Sequence, residues 1–185
     1  MNNPVVNVLR LPLRPGREYE SRFDREQSTL KMLAIPIASI MLMSMATTLP
    51  LLLAQPVLPP LGLMMLLAWR LMRPGLLPMW AGLPFGLFDD IFSGQPFGSA
   101  GFIWSLAMIA IELIDSRAIW RDHLQDWLIA SLLIVFALLL GLFIASLAHA
   151  VPSVTVLIPQ IVLSILLYPL IVRICARLDG WRLAT

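Results

Sequence analysis

Two adjacent carboxylates, Asp89 and Asp90, stand in the apolar run GLPFGLFDDIFSGQPFG, residues 82–98. Acids in such a setting have three uses: to hold a divalent cation on a phosphorylated substrate, to receive a ligand or partner, or to tie two helices together. The first is the weakest here. Membrane prenyl-transfer enzymes hold magnesium diphosphate with spaced acids, and DDIFS lacks the further acid such a site needs. No serine sits in a GxSxG elbow and no P-loop occurs. Cys175 is the only cysteine, which excludes an intrachain disulfide and a cysteine-rich metal site. The sequence assembles no nucleophile, base and oxyanion donor, and it implies no enzyme, cofactor or metal.

What the carboxylates do depends on the elements that carry them. Of the 185 residues, 59% are hydrophobic and 13% charged, and the mean hydropathy is +0.85. Soluble domains average roughly 45–50% apolar and about 25% charged. Apolar stretches recur from residue 32 to 172, each near the roughly 18 to 20 residues that cross a bilayer. The expected fold is an all-α, multi-pass membrane protein with six spans: 32–54, 57–72, 75–92, 98–114, 127–149 and 154–174. Residues 1–30 form a polar tail, 31–178 the membrane domain and 179–185 a short C-terminal tail. The start of the chain carries four acids, unlike the short basic start of a secretory signal.

The basic residues set the orientation. Six precede the first span: Arg10, Arg14, Arg17, Arg22, Arg25 and Lys31. Arg70 and Arg73 lie between spans two and three, Arg117 and Arg121 between four and five, and Arg173, Arg177 and Arg182 near the end. These are all thirteen Lys and Arg. With six crossings every one falls on the same side, and positive residues gather on the cytoplasmic side. Both termini are therefore expected in the cytoplasm. If only one of the doubtful spans two and three crossed, Arg117 and Arg121 would lie outside; if neither did, Arg70 and Arg73 would. His123 and His149 fall on opposite sides and cannot share a metal.

Helix faces add detail. Ala137, Gly141 and Ala145 place a small residue at every fourth position of span five, which lets another helix approach closely. That helix belongs either to this bundle or to a partner. Pro169 removes a backbone hydrogen bond in span six and is expected to bend it near Ile165. Trp69, Trp120, Trp127, Tyr168 and Trp181 lie near predicted cytoplasmic ends and are expected to anchor at the interface. Glu112 and Asp115 are expected to pair with Arg117 and Arg121. The first 31 residues mix signs with a net charge of +2; they suit contact with lipid more than nucleic acid.

Asp90 lies seventeen residues after Arg73, about 25 Å along a helix through a core of about 30 Å. The acids therefore belong at the periplasmic boundary. Adjacent helical residues diverge by about 100°, so one acid should face the bundle and the other the headgroups. Ser93, Gly94, Gln95 and Pro96 form a turn, which the acids end the helix before or brace.

Gly82, Gly86, Asp90, Gly94 and Gly98 recur at four-residue intervals. This order resembles the Gly…Asp…Gly core of the rod shape-determining protein MreD family. So do the preceding stretch PPLGLMMLLAWRLMRPG and a terminal span in which Pro169 is followed by Arg173. The resemblance covers roughly residues 31–178, and the family's aspartate falls on Asp90 by spacing; Asp89 occupies a position that need not be acidic. It implies a bacterial inner-membrane protein of the cell-elongation complex, supporting lateral peptidoglycan synthesis and rod shape. MreC, a bitopic membrane protein, is the expected direct partner; MreB and the elongation glycosyltransferase and transpeptidase share the assembly. The family is similar in fold to the six-helix substrate-binding subunit of energy-coupling-factor transporters. A non-enzymatic scaffold is thus the leading expectation, and a small-molecule- or lipid-binding subunit of transporter type the alternative.

Overall fold

A computed structural model describes residues 33–47, 58–93, 96–116, 122–147 and 154–184. They form six helices and, among the described residues, no strand. We number them α1 (Leu33–Ala46), α2 (Leu61–Met72), α3 (Gly82–Ser93), α4 (Ser99–Asp115), α5 (His123–Leu147) and α6 (Val154–Ala184). Two are long and apolar enough to cross a membrane: α5, and Leu157–Leu183 within α6. The polar tail, Trp120, Gly94, His149, Arg117 and Arg121 lie outside the described residues.

α2 is the core element. Every residue from Gly62 to Leu71 is buried, so this helix is apolar on all sides because it is packed on all sides. It starts where Pro59 and Pro60 end: the Met64 amide donates to the Pro60 carbonyl at 3.0 Å, and proline suits a helix start, where the first amides lack intrahelical acceptors. Gly62 admits α1, because a Cβ there would collide with the Ser44 hydroxyl and Trp104.

The third element begins later than residue 75. Gly75 turns the chain with φ +86°, Pro78 is extended, and a 3-10 turn, Met79–Ala81, leads into α3 at Gly82. Proline and glycine prevent an earlier start; Pro84 fits in the first helical turn, where its missing N–H costs nothing. α6, in contrast, runs beyond residue 174 to Ala184. Its buried residues Ser164, Tyr168, Ile171, Cys175 and Asp179 recur at three- and four-residue steps, so the face that packs at its centre continues to its end.

Three of the expected interface anchors lie inward. Trp69 is wholly buried and its indole N–H donates to Ser39 Oγ at 2.9 Å. Tyr168 is buried as well, and half-buried Trp127 packs against the core. Each sits on a helix face that carries other core residues, and that face decides its environment over its nearness to a helix end. Trp181 is exposed.

Candidate functional site: the α3–α4 hairpin

α3 buries three residues, Gly82, Gly86 and Asp90, each four apart and so on one face. The two glycines set the distance to α4. A Cβ on Gly86 would lie 2.5 Å from the Ala100 carbonyl oxygen and 2.6 Å from Gly101 Cα, and one on Gly82 would lie 2.6 Å from the Trp104 carbonyl oxygen. These contacts are with backbone, which cannot step aside, so α3 and α4 touch main chain to main chain.

That approach brings the Asp90 carboxylate to the start of α4. One oxygen accepts the Gly98 amide at 2.8 Å and the Gly101 amide at 3.3 Å. The other accepts the Ala100 amide at 2.9 Å and the Ser99 hydroxyl at 3.1 Å. The first amides of a helix have no intrahelical acceptor, and the helix dipole favours an anion there. The N-cap residue of α4 is Gly98, held at φ +94°, which has no side chain to do the capping. Asp90 caps α4 from the neighbouring helix. It is 4% exposed, and a buried carboxylate with four donors is a satisfied one. The sequence pattern omits Gly101 and Ser99, which complete the contact; the signal for them is the small-residue run Gly98-Ser99-Ala100-Gly101.

Asp89, adjacent in sequence, leaves the face that meets α4. It is half-buried and lies against Ser44 of α1. The reason is the turn of the helix: with Asp90 on α4, the adjacent side chain is carried round to the side where α1 packs.

The opposite end of the bundle holds Arg70, Arg73 and Arg182. Arg70, 4% exposed, donates to Glu112 and lies 3.6 Å from Asp115. Glu112 and Asp115 of α4 thus pair with Arg70 of α2, while the expected pairs with Arg117 and Arg121 lie outside the described residues. Asp179 accepts both Arg73 Nε at 3.0 Å and Nη2 at 2.7 Å, and Arg182 reaches its other oxygen at 2.8 Å. Arg182 also lies 5.8 Å from the Trp69 ring centre, within cation–π range. A cleft of about 350 Å³ opens beside Arg70, Pro74, Pro78, Met79 and Glu112. Asp90 meets the first turn of α4 and Arg70 meets Glu112 in its last turn, so the two polar layers are about 20 Å apart.

The remaining sequence-derived residues fall elsewhere. Ala137 is buried, while Gly141 and Ala145 are half-buried. A Cβ on Gly141 would meet Ile103 Cδ1 at 3.8 Å, ordinary contact with a flexible side chain rather than close helix approach. Pro169 and Arg173 are exposed. The carbonyl that Pro169 leaves without its helical donor, Ile165, accepts the Trp127 indole N–H at 3.3 Å.

The chain has a counterpart among known families. The family model described as rod shape-determining protein MreD matches residues 26–178, which take in α1 through α5 and all but the last turns of α6. Searches of curated proteins and of solved structures gave no match. The match covers most of the chain, and the chain belongs to the rod shape-determining protein MreD family.

Proposed function

We propose that this protein is a non-enzymatic, six-span scaffold of the inner membrane that binds MreC and supports rod shape and lateral peptidoglycan synthesis. Residues 31–178 form its membrane domain, with the tails 1–30 and 179–185 in the cytoplasm. MreB and the elongation glycosyltransferase and transpeptidase act in the same assembly. The single observation that carries this reading is the family match across nearly all of the helical region.

The geometry supports it. Leu124, Leu128, Leu132, Phe136, Leu139, Phe143 and Leu147 are exposed along the whole of α5, a face fit for lipid or a partner's membrane helix. The polar groups on the page serve assembly: Asp90 joins α3 to α4, Arg70 joins α2 to α4, and Asp179 joins α6 to α2. In this reading a partner helix packs along α5, beside Ala137, Gly141 and Ala145, against a bundle held rigid by these ties. Co-purification with MreC in mild detergent is the test. Recovery of a stable complex is expected; clean separation of two folded proteins contradicts the reading.

The second reading, a small-molecule- or lipid-binding subunit similar to those of energy-coupling-factor transporters, draws on the cleft beside Arg70. The buried guanidinium there leaves Nε and Nη1 without a hydrogen-bond partner. Thermal stabilisation by a member of a lipid or vitamin panel would favour it over the scaffold.

A further inference from the structure

One face of α6 has the outline of a phospholipid. Ile158, Val162, Leu166 and Leu170 are exposed, and Arg173, Arg177 and Trp181 continue them, exposed as well. Steps of three and four residues keep all of these on one side of the helix. An apolar strip therefore runs into two guanidiniums and ends on an indole. The helix that carries it is long and apolar enough to cross a membrane between Leu157 and Leu183. Among the described residues neither Arg173 nor Arg177 is paired with an acid. Asp179, close by in sequence, is buried on the other side of α6 and is taken up by Arg73 and Arg182.

The depth of the pair narrows what can meet it. Asp179 lies level with Arg73, and Arg173, six residues earlier, is about 9 Å nearer the middle of the bundle. A lipid-facing arginine at that depth is costly without a counter-charge. Its apolar stem can carry the guanidinium toward the headgroups, where phosphates are the available anions. The planar guanidinium fork bonds a phosphate through two donors. Helical residues four apart hold their Cβ atoms about 6 Å from each other, so both forks reach one headgroup. A zwitterionic lipid brings an ammonium that the pair repels, whereas an anionic lipid brings none. We propose that Arg173 and Arg177 bind the phosphate of an anionic phospholipid whose acyl chain lies along Leu166 and Leu170, with Trp181 at the headgroup edge. The proposal rests on α6 crossing the bilayer, as in the reading above, and is independent of MreC.

The test uses the full-length protein in phosphatidylcholine vesicles and reads quenching of indole fluorescence by lipids brominated near the headgroup. The difference between parent and Trp181→Phe gives the share of Trp181. Brominated phosphatidylglycerol is expected to associate there about tenfold more strongly than brominated phosphatidylcholine, each arginine near a charged headgroup contributing severalfold. Replacing both arginines by glutamine should bring that ratio close to one, and replacing both by lysine should keep most of it. Each variant is first shown to melt like the parent. Inorganic phosphate at constant ionic strength should displace nothing; displacement would assign the pair to a free anion and overturn the lipid. A ratio that survives Arg173→Gln with Arg177→Gln also overturns the proposal. Two further outcomes separate it from the reading beneath it. Equal quenching by the two lipids removes the lipid site alone and leaves the pair to an acidic protein partner. No quenching of Trp181 by either lipid removes the α6 span and the proposal with it.

Discussion

The Asp90 carboxylate of α3 accepts the Gly98 amide of the α4 N-terminus at 2.8 Å, and it does so across a turn whose own N-cap residue has no side chain. One carboxylate thus fixes the end of one helix to the start of the next. Because both oxygens accept, an amide cannot replace it: the NH2 of asparagine would face either Gly98 and Gly101 or Ala100 and Ser99, all donors here. Asp90→Asn is expected to cost about 2 kcal/mol and Asp90→Ala about 4, from buried donors left unmatched. Thermal unfolding in detergent checks this; an Asp90→Asn protein as stable as the parent would show that the acid only ends its own helix.

Gly86 and Gly141 make a contrasting pair. Gly86→Ala must push apart two backbones that approach within 2.5 Å of the added carbon, whereas Gly141→Ala meets one flexible methyl at 3.8 Å. The first is expected to destabilise by about 2 kcal/mol or more, as overpacking does. The second should stay within about 0.5 kcal/mol or stabilise, since alanine favours helix. Melting temperatures of the two variants decide it, and equal losses would mean that α5 also packs by close approach.

Trp127 and Pro169 are coupled through one carbonyl. The indole N–H occupies the Ile165 oxygen that a residue with an amide at position 169 would take up through the helix. Trp127→Phe is therefore expected to cost about 1 kcal/mol in the parent and much less in a Pro169→Ala background. A double-mutant cycle measures the difference; strict additivity would mean that the two groups act independently.

Asp179 holds two guanidiniums, Arg73 and Arg182, with its side chain 8% exposed. Removing a buried partner strands its counter-charges, whereas Arg73 is half in solvent, where ion pairs contribute little. Asp179→Ala is expected to cost about 3 kcal/mol and Arg73→Ala about 1. Chemical denaturation of the two variants tests that order, and the reverse order would contradict the assignment of Asp179 as the shared acceptor.

The architecture was legible where the sequence repeats. All-helical structure follows from apolar stretches of helical length, and the Gly82–Gly86–Asp90 face follows from a four-residue interval that any helix turns into a stripe. Legibility ended where a contact joins residues far apart in sequence. Nothing local says that Glu112 pairs with Arg70, or that Asp179 reaches back to Arg73. The burial of Trp69 is hard to read from sequence for the same reason: its position near a helix end suggests an interface, while its face belongs to the core. The late start of α3 was readable in Pro78 and Gly75, which outweigh the apolar character of residues 75–81.

The proposed topology segregates charge across the bundle: it would put the Arg70 layer in the cytoplasm and the Asp90 layer, about 20 Å away, at the outer face. In a Cys175→Ser background, Phe97→Cys and Arg117→Cys are treated with a membrane-impermeant thiol reagent in intact spheroplasts and after permeabilisation. The account predicts that residue 97 is modified from outside and residue 117 only once the membrane is opened. Modification of residue 117 in intact spheroplasts would contradict it.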